Sequence, residues 1–235
     1  IYQWLVATPL MVVITIIVAL SVMIGSIFSR KKWGHFMGVA WGWLWCNIFL
    51  VRVKVIRSPH VKTNTSYVFV ANHQGAYDIF SIYGFLGHEF KWMMRKGLTN
   101  IPFMGWACRA AGHIMVDTKS PAGIKATIND AEKKLKGGIS IVVFPEGRRT
   151  ETGKMGPFKM GAFKLAVEFG LPLVPVTIDG SFKVMPRSTF NVTPGSITMT
   201  VHDPIEPGEN GHDAAMASTK CRQIIQSALP VQDCD

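Results

Sequence analysis

Tyr67-Val-Phe-Val-Ala-Asn-His-Gln-Gly-Ala-Tyr-Asp78 is the stretch on which the fold turns. Its first five residues, Tyr67 to Ala71, form an apolar run that reads as a buried strand. A polar cluster, Asn72 to Asp78, follows at once, and Asp78 to Leu86 reads as a helix. The same grammar repeats outward. Val51 to Ile56 alternates apolar and basic residues and predicts a strand. Phe90 to Met94 predicts another, and Phe103 to Ala111 a short helix. Ser120 and Pro121 open a helix that runs to Leu135 and stops at Gly137-Gly138. Ile139 to Phe144 is a further apolar strand, and Gly161 to Phe169 a helix ending at Gly170. Leu173 to Ile178 and Ile197 to Val201 predict strands, and Asp213 to Leu229 a final helix. Strands alternating with helices predict an α/β fold, a mixed, largely parallel sheet flanked by helices.

The chain has 235 residues, a formal net charge of +10 and only 17% charged residues. That length suits one α/β domain with an appendage. The low charged fraction argues against a disordered or nucleic-acid-coating chain. Residues 1–62 hold seven basic residues and no acid, and the first acid is Asp78. The remaining 173 residues carry 18 basic against 15 acidic groups. A basic, membrane-proximal end joined to a nearly balanced body is the expectation, with no nucleic-acid partner.

Ile1 to Ser29 is uncharged, and Trp4 to Phe28 gives 25 mostly apolar residues. As a helix these span about 37 Å, against a hydrocarbon core of roughly 30 Å. The run is too long for a cleavable signal and its charge follows rather than precedes it, so a retained anchor is expected. The chain opens on Ile1 rather than a methionine, which suggests that extreme N-terminal sequence is missing. Trp33 to Val51 is a second apolar stretch with four tryptophans, which favour the headgroup level. Basic residues flank it on both sides, Arg30 to Lys32 and Arg52 to Arg57. The positive-inside rule puts both flanks on one face, so an interfacial or re-entrant segment is expected. The division is therefore 1–51, a membrane-anchoring two-helix segment that meets anionic membrane lipids, and 52–235, the α/β domain. The expected location is the cytoplasmic face of the (inner) membrane.

Two polar clusters each follow a buried strand, Asn72 to Asp78 and Phe144-Pro-Glu-Gly-Arg-Arg-Thr150. Ligands of open α/β sheets bind beyond the carboxyl ends of strands, so parallel strands would bring both clusters to one edge. A carboxylate at Asp78 bonded to one ring nitrogen of His73 would fix its tautomer and leave the other as a general base. No Ser or Cys nucleophile accompanies the pair and no G-x-S-x-G elbow occurs, so the proton should come from a substrate hydroxyl. The plainer reading makes Asp78 a helix cap and His73 an exposed side chain. Glu146, Gly147, Arg148 and Arg149 offer adjacent guanidiniums and exposed backbone, suited to a phosphate. A nucleotide P-loop is rejected: Gly147 to Lys154 is one residue too long and Met155 replaces the required Ser or Thr. The histidines and cysteines show no ligand spacing, so no metal and no cofactor is expected. Cys46, Cys108, Cys221 and Cys234 read as free thiols.

Together these residues resemble the lysophospholipid acyltransferase family, over roughly Val51 to Pro204. Its NHxxxxD motif is matched by Asn72, His73 and Asp78. Its FPEGTR is matched by Phe144, Pro145, Glu146, Gly147 and Arg149, with Arg148 in place of Thr. A basic residue followed by Leu, Ile-Pro and Gly stands at Lys96, Leu98, Ile101, Pro102 and Gly105. Phe158-Lys159 with Gly161, and Val174-Pro175-Val176, complete the order. Thr118 stands where an Arg commonly follows the aspartate, here Asp117, and Lys119 is the available substitute. The resemblance implies acyl transfer from acyl-CoA or acyl-carrier protein to the 2-hydroxyl of lysophosphatidic acid, giving phosphatidic acid in phospholipid biosynthesis. It implies His73 as base and Asp78 as its orienter. Asn72, Lys96, Glu146, Gly147, Arg148, Arg149 and Lys159 are the substrate-binding candidates. Other acceptors stay open: glycerol-3-phosphate, another lysophospholipid or a lyso-amino lipid. The intact His73–Asp78 pair speaks against a non-catalytic lipid-binding protein, and the absence of a Ser or Cys nucleophile motif disfavours a hydrolase. The oxyanion donors are not identifiable in the sequence.

Overall fold

Val68 and Val70 point into a cluster with Phe163, Ala217 and Ile225. Phe69 and Ala71 point the opposite way, among Tyr77, Ile82 and Val176. Period-two alternation between two covered faces is why this run is apolar throughout. The computed structural model describes residues 1–28, 32–117, 120–136, 139–208 and 213–230. A π-helical turn (Gln3–Ala7) leads into α1 (Thr8–Ile27), followed by α2 (Trp33–Ile48), β1 (Val51–Arg57), β2 (Val68–Ala71), α3 (Tyr77–Phe85) and β3 (Phe90–Arg95). A 3-10 turn (Lys96–Asn100), α4 (Met104–Ala110), β4 (Ile114–Val116), α5 (Pro121–Lys136), β5 (Ser140–Val143) and α6 (Gly161–Glu168) come next. The chain closes with β6 (Leu173–Asp179), α7 (Ser181–Val184), β7 (Gly195–Val201) and α8 (Ala214–Ser227).

The seven strands form one mixed sheet in the order β1-β7-β6-β2-β5-β3-β4. All neighbours are parallel except β6 and β7. The expected mixed, largely parallel sheet flanked by helices is therefore what the chain forms. Because β1 follows β7, it runs against the central strands. Asp179, the last residue of β6, lies level with Thr198, which lies level with Lys54. Val51 thus starts beyond the carboxyl end of β6, at the edge where β2 and β5 end.

α1 and α2 form an antiparallel hairpin. Trp33 Nε1 donates to Ser21 O and Oγ at 3.2 and 3.1 Å, and Trp41 Nε1 donates to Thr15 Oγ1 at 2.9 Å. Tyr2 Oη donates to Ile48 O at 2.9 Å, joining the hairpin's open end. Gln3 holds a distant loop: its Nε2 donates to Phe190 O at 2.8 Å and its Oε1 accepts from Val192 N at 3.0 Å. Gln3–Ile27, of mean hydropathy 2.8, is long and apolar enough to cross a membrane. Leu5, Val13, Ile17, Ile24 and Ile27 on it are exposed. α2 instead packs by small residues: a Cβ on Gly42 would lie 2.7 Å from Phe80 O of α3, and one on Gly38 2.5 Å from the Tyr83 ring. Trp41 and Trp45 pack on Phe80, while Trp43 is exposed. The division at residue 51 follows the change in sequence pattern, and in space α2 lies against the α/β body.

Three elements were not anticipated. β4 and α7 are too short to show a period, and the 3-10 turn after β3 carries no helical pattern. Phe103 is outside α4. It sits at φ 58° and ψ −60°, with Met104 N–H on Pro102 O at 2.6 Å, a strained γ-turn from which the helix then starts.

Candidate active site

The site is built at the carboxyl edge of β2, β5 and β6. Asn72, the first residue past β2, is fully buried. Its Nδ2 donates to Ile178 O and its Oδ1 accepts from Ile178 N, both at 2.8 Å. This amide ties β2 to β6 where their ladder ends. Through these two bonds Asn72 acts as a strut between the strands beside the site. His73 follows with Nδ1–H on Asp78 Oδ2 at 2.8 Å. A carboxylate only accepts, so Nδ1 carries the proton and Nε2 presents its lone pair. The imidazole stacks on Phe144 at 3.9 Å and 7°, and Phe144 stacks in turn on Trp92. This apolar wall fixes the ring's plane.

Asp78 is fully buried in the first turn of α3 but does not cap it; the N-cap is Ala76, with no side-chain bond. Its Oδ2 also accepts from Gly75 N at 2.9 Å. Gly75 is required by close approach: a Cβ would lie 2.5 Å from Ser181 O and 2.8 Å from Met185 O. The second carboxylate oxygen, Oδ1, accepts from Ser181 Oγ.

The cluster after β5 is joined to the first through backbone. Glu146 is buried; its Oε1 accepts from His73 N at 2.8 Å and its Oε2 from Gly156 N at 2.7 Å. Thr150 N–H reaches His73 O at 2.9 Å. Burial pushes the Glu146 carboxyl up, while the two backbone donors oppose the shift. Glu146 is thus a clamp holding His73's main chain. Gly147 turns with φ 72°, and a Cβ there would lie 2.8 Å from Lys159 Nζ. Lys159 N–H donates to Pro145 O at 2.9 Å, so Gly147 and Lys159 share one corner. Arg222 of α8 donates to Gly156 O and Met155 O, closing that loop from behind.

The cations divide. Arg148 is exposed and faces Glu151 at 3.8 Å; Arg187 reaches the same carboxylate at 3.0 Å. Arg149 is half-buried. Burial pushes its pKa down, the like charge of Arg187 adds to this, and Asp78 opposes it. That places Arg149 in the field of the His73–Asp78 pair. Lys96 leaves the carboxyl end of β3, two strands and therefore roughly 10 Å from β2, and its Nζ meets Asp117 Oδ2 at 2.8 Å. It shares the edge but not the immediate site. Thr118 and Lys119 lie outside the described residues. Sequence reasoning missed Ser181 and Gly156. Ser181 carried a signal, since Asp179-Gly180-Ser181 is a third polar, glycine-bearing turn after a buried strand.

A largely parallel sheet that delivers a His–Asp pair and an arginine-bearing turn to one edge defines the class: the chain belongs to the acyltransferase family, whose sequence model matches residues 52–179. Its relatives are more particular. The chain is 31% identical over 177 residues to a chloroplastic 1-acyl-sn-glycerol-3-phosphate acyltransferase of Brassica napus, covering 75% of this chain and 51% of that protein. It is 30% identical over 205 residues to the chloroplastic enzyme of that name from Arabidopsis thaliana, covering 85% and 55%. The chain thus spans about half the length of these two curated relatives. It also resembles the crystal structure of the 1-acyl-sn-glycerophosphate acyltransferase of Thermotoga maritima, with a TM-score of 0.75 and 26% identity, over 88% of this chain and 84% of that one.

Proposed function

We propose that the chain transfers an acyl group from a thioester donor, acyl-CoA or acyl-carrier protein, to the sn-2 hydroxyl of lysophosphatidic acid. The product is phosphatidic acid, a step of phospholipid biosynthesis. The observation that carries this is the His73–Asp78 bond, made through Nδ1 so that Nε2 is the ring nitrogen left for a substrate, with Arg149 within the electrostatic reach of Asp78. The acceptor hydroxyl gives its proton to Nε2 as its oxygen attacks the thioester carbon. The tetrahedral intermediate collapses, the C–S bond breaks, and the thiolate takes up the proton from the imidazolium. A thioester is already activated, so base help and alignment suffice without a covalent enzyme intermediate. Asp78 holds the imidazolium that forms. Arg149 holds the acceptor phosphate, with Arg148 and Lys159 at the rim and Lys96 further along the edge.

The exposed apolar face of α1 supports membrane association, and the basic residues that flank the two apolar stretches in sequence are the reason for placing it at the cytoplasmic face against anionic lipids. Each such residue contributes up to about 1 kcal/mol near an anionic surface. The test is one acyl-CoA offered against lysophosphatidic acid, glycerol-3-phosphate, lysophosphatidylcholine and a lyso-amino lipid, with products identified by mass. Phosphatidic acid as the main product is expected. Acyl-CoA loss without an acylated acceptor would mean a hydrolase.

A further inference from the structure

The two oxygens of Asp78 are served by different parts of the chain. Oδ2 faces its own loop, through His73 Nδ1 and Gly75 N. Oδ1 is held by Ser181, 103 residues away at the start of α7. Both side chains are fully buried. The position of Ser181 is set by backbone alone. Gly180 before it has φ 94°, and a Cβ there would lie 2.5 Å from Ser196 O. On the other side Gly75 leaves no space against Ser181 O. The hydroxyl is held towards Asp78, and because a carboxylate only accepts, Ser181 is the donor.

We propose that Ser181 is a positioning residue of acyl transfer, its hydroxyl fixing the Asp78 carboxylate and thereby setting the basicity of His73. The inference rests on the base role given to His73 above. A donor on Oδ1 draws charge from the carboxylate and weakens its hold on the imidazolium, so His73 gives up its proton more readily. The chain of contacts runs Ser181, Asp78, His73, acceptor hydroxyl. Other polar groups also face the pair. Glu146 bonds the His73 backbone, and Arg149 feels the charges of both Asp78 and Arg187. Behind α3, α2 offers Trp41, Trp45 and the Cys46 thiol, none charged at neutral pH. All of these stay in place when residue 181 alone is changed.

The test compares Ser181→Ala, Ser181→Cys and Ser181→Thr in the full chain, assayed with acyl-CoA and lysophosphatidic acid across roughly pH 5 to 9. In Ser181→Ala the carboxylate is no longer held and the imidazole loses alignment, so kcat should fall on the order of tenfold, with the acceptor KM unchanged. Its acid limb should move to higher pH, because His73 then holds its proton more tightly. Ser181→Cys, a weaker donor of similar shape, should fall between, and Ser181→Thr should restore the limb. An unmoved limb in Ser181→Ala overturns the proposal whether or not kcat falls, since a packing role lowers rate without moving it. If Ser181→Ala does not fold, a Ser181→Cys limb identical to wild type overturns it instead. A His73→Ala control separates the two readings. Activity surviving in that control sinks the base role, whereas an essential His73 with an unmoved Ser181→Ala limb sinks this inference alone.

Discussion

The carboxylate of Glu146 holds the backbone N–H of His73 at 2.8 Å, so the turns after β2 and β5 are one piece of structure. Removing the clamp takes the partner from two part-buried amides, those of His73 and Gly156. Each costs at most about 1–3 kcal/mol, and misplacing the base by an ångström costs on the order of 100-fold in rate. Glu146→Ala should therefore lower kcat about 100-fold and lower the unfolding midpoint, with a small change in acceptor KM. A large KM change with kcat preserved would instead make Glu146 a substrate ligand.

His73→Ala removes the base and leaves the scaffold. Asp78 keeps its bonds from Gly75 and Ser181, so folding should persist. Turnover should fall by about 10²–10⁴, the usual worth of general-base help. Initial rates, circular dichroism and vesicle sedimentation on one preparation check this, and near-normal turnover would refute the mechanism.

Arg148 and Arg149 are neighbours with different environments, so they should respond differently. Arg148 is exposed and faces Glu151, and such a surface pair contributes at most about 1 kcal/mol. Arg149 is half-buried in the field of Asp78. Arg149→Ala should raise the KM for lysophosphatidic acid by 10- to 100-fold, roughly 1.5–3 kcal/mol of charge-assisted bonding, while Arg148→Ala changes it a fewfold. Acceptor saturation curves decide; equal effects would place the phosphate elsewhere.

His113 predicts a pH dependence of stability. It is buried, its Nδ1 accepts from Trp92 N at 3.2 Å, and its Nε2 lies 2.6 Å from Tyr83 Oη, so the ring is neutral with its proton on Nε2. Burial pushes its pKa down to about 3, helped by Lys91 and Lys134. The unfolded chain, with an ordinary imidazole near 6.5, binds the proton first. Stability is therefore full above about pH 6.5 and is lost as pH falls towards about 3. Denaturant titrations at several pH values should show a shallower loss in His113→Gln than in the parent chain. Identical slopes would mean that His113 does not set it.

Much of this was legible because it is local. Val68 to Ala71 announced a strand with both faces covered, and His73 and Asp78 lie close enough in sequence to meet across one turn. The meeting of the two clusters followed from strand direction alone. What escaped was what folding brings from afar. Ser181 joins Asp78 across 103 positions, and Asn72 meets Ile178 across 106. No spacing rule encodes such pairs. The backbone bonds of Asn72 and Glu146 are equally silent in sequence, because a polar side chain beside a site looks the same there whether it faces a substrate or the main chain. β4 and the γ-turn at Phe103 were lost for another reason, since three residues show no period and strain leaves no compositional mark.

The one antiparallel step in the sheet, between β6 and β7, sets how an acceptor is counted. By reversing β1 it brings the end of α2, and with it the start of α1, to the edge where His73 stands. Under the function proposed above, a lipid acceptor whose tail lies along that hairpin would reach the base without being lifted into water. Turnover should then follow the mole fraction of acceptor in the surface and not its bulk concentration. Inert detergent added at constant acceptor should slow the enzyme by dilution in two dimensions.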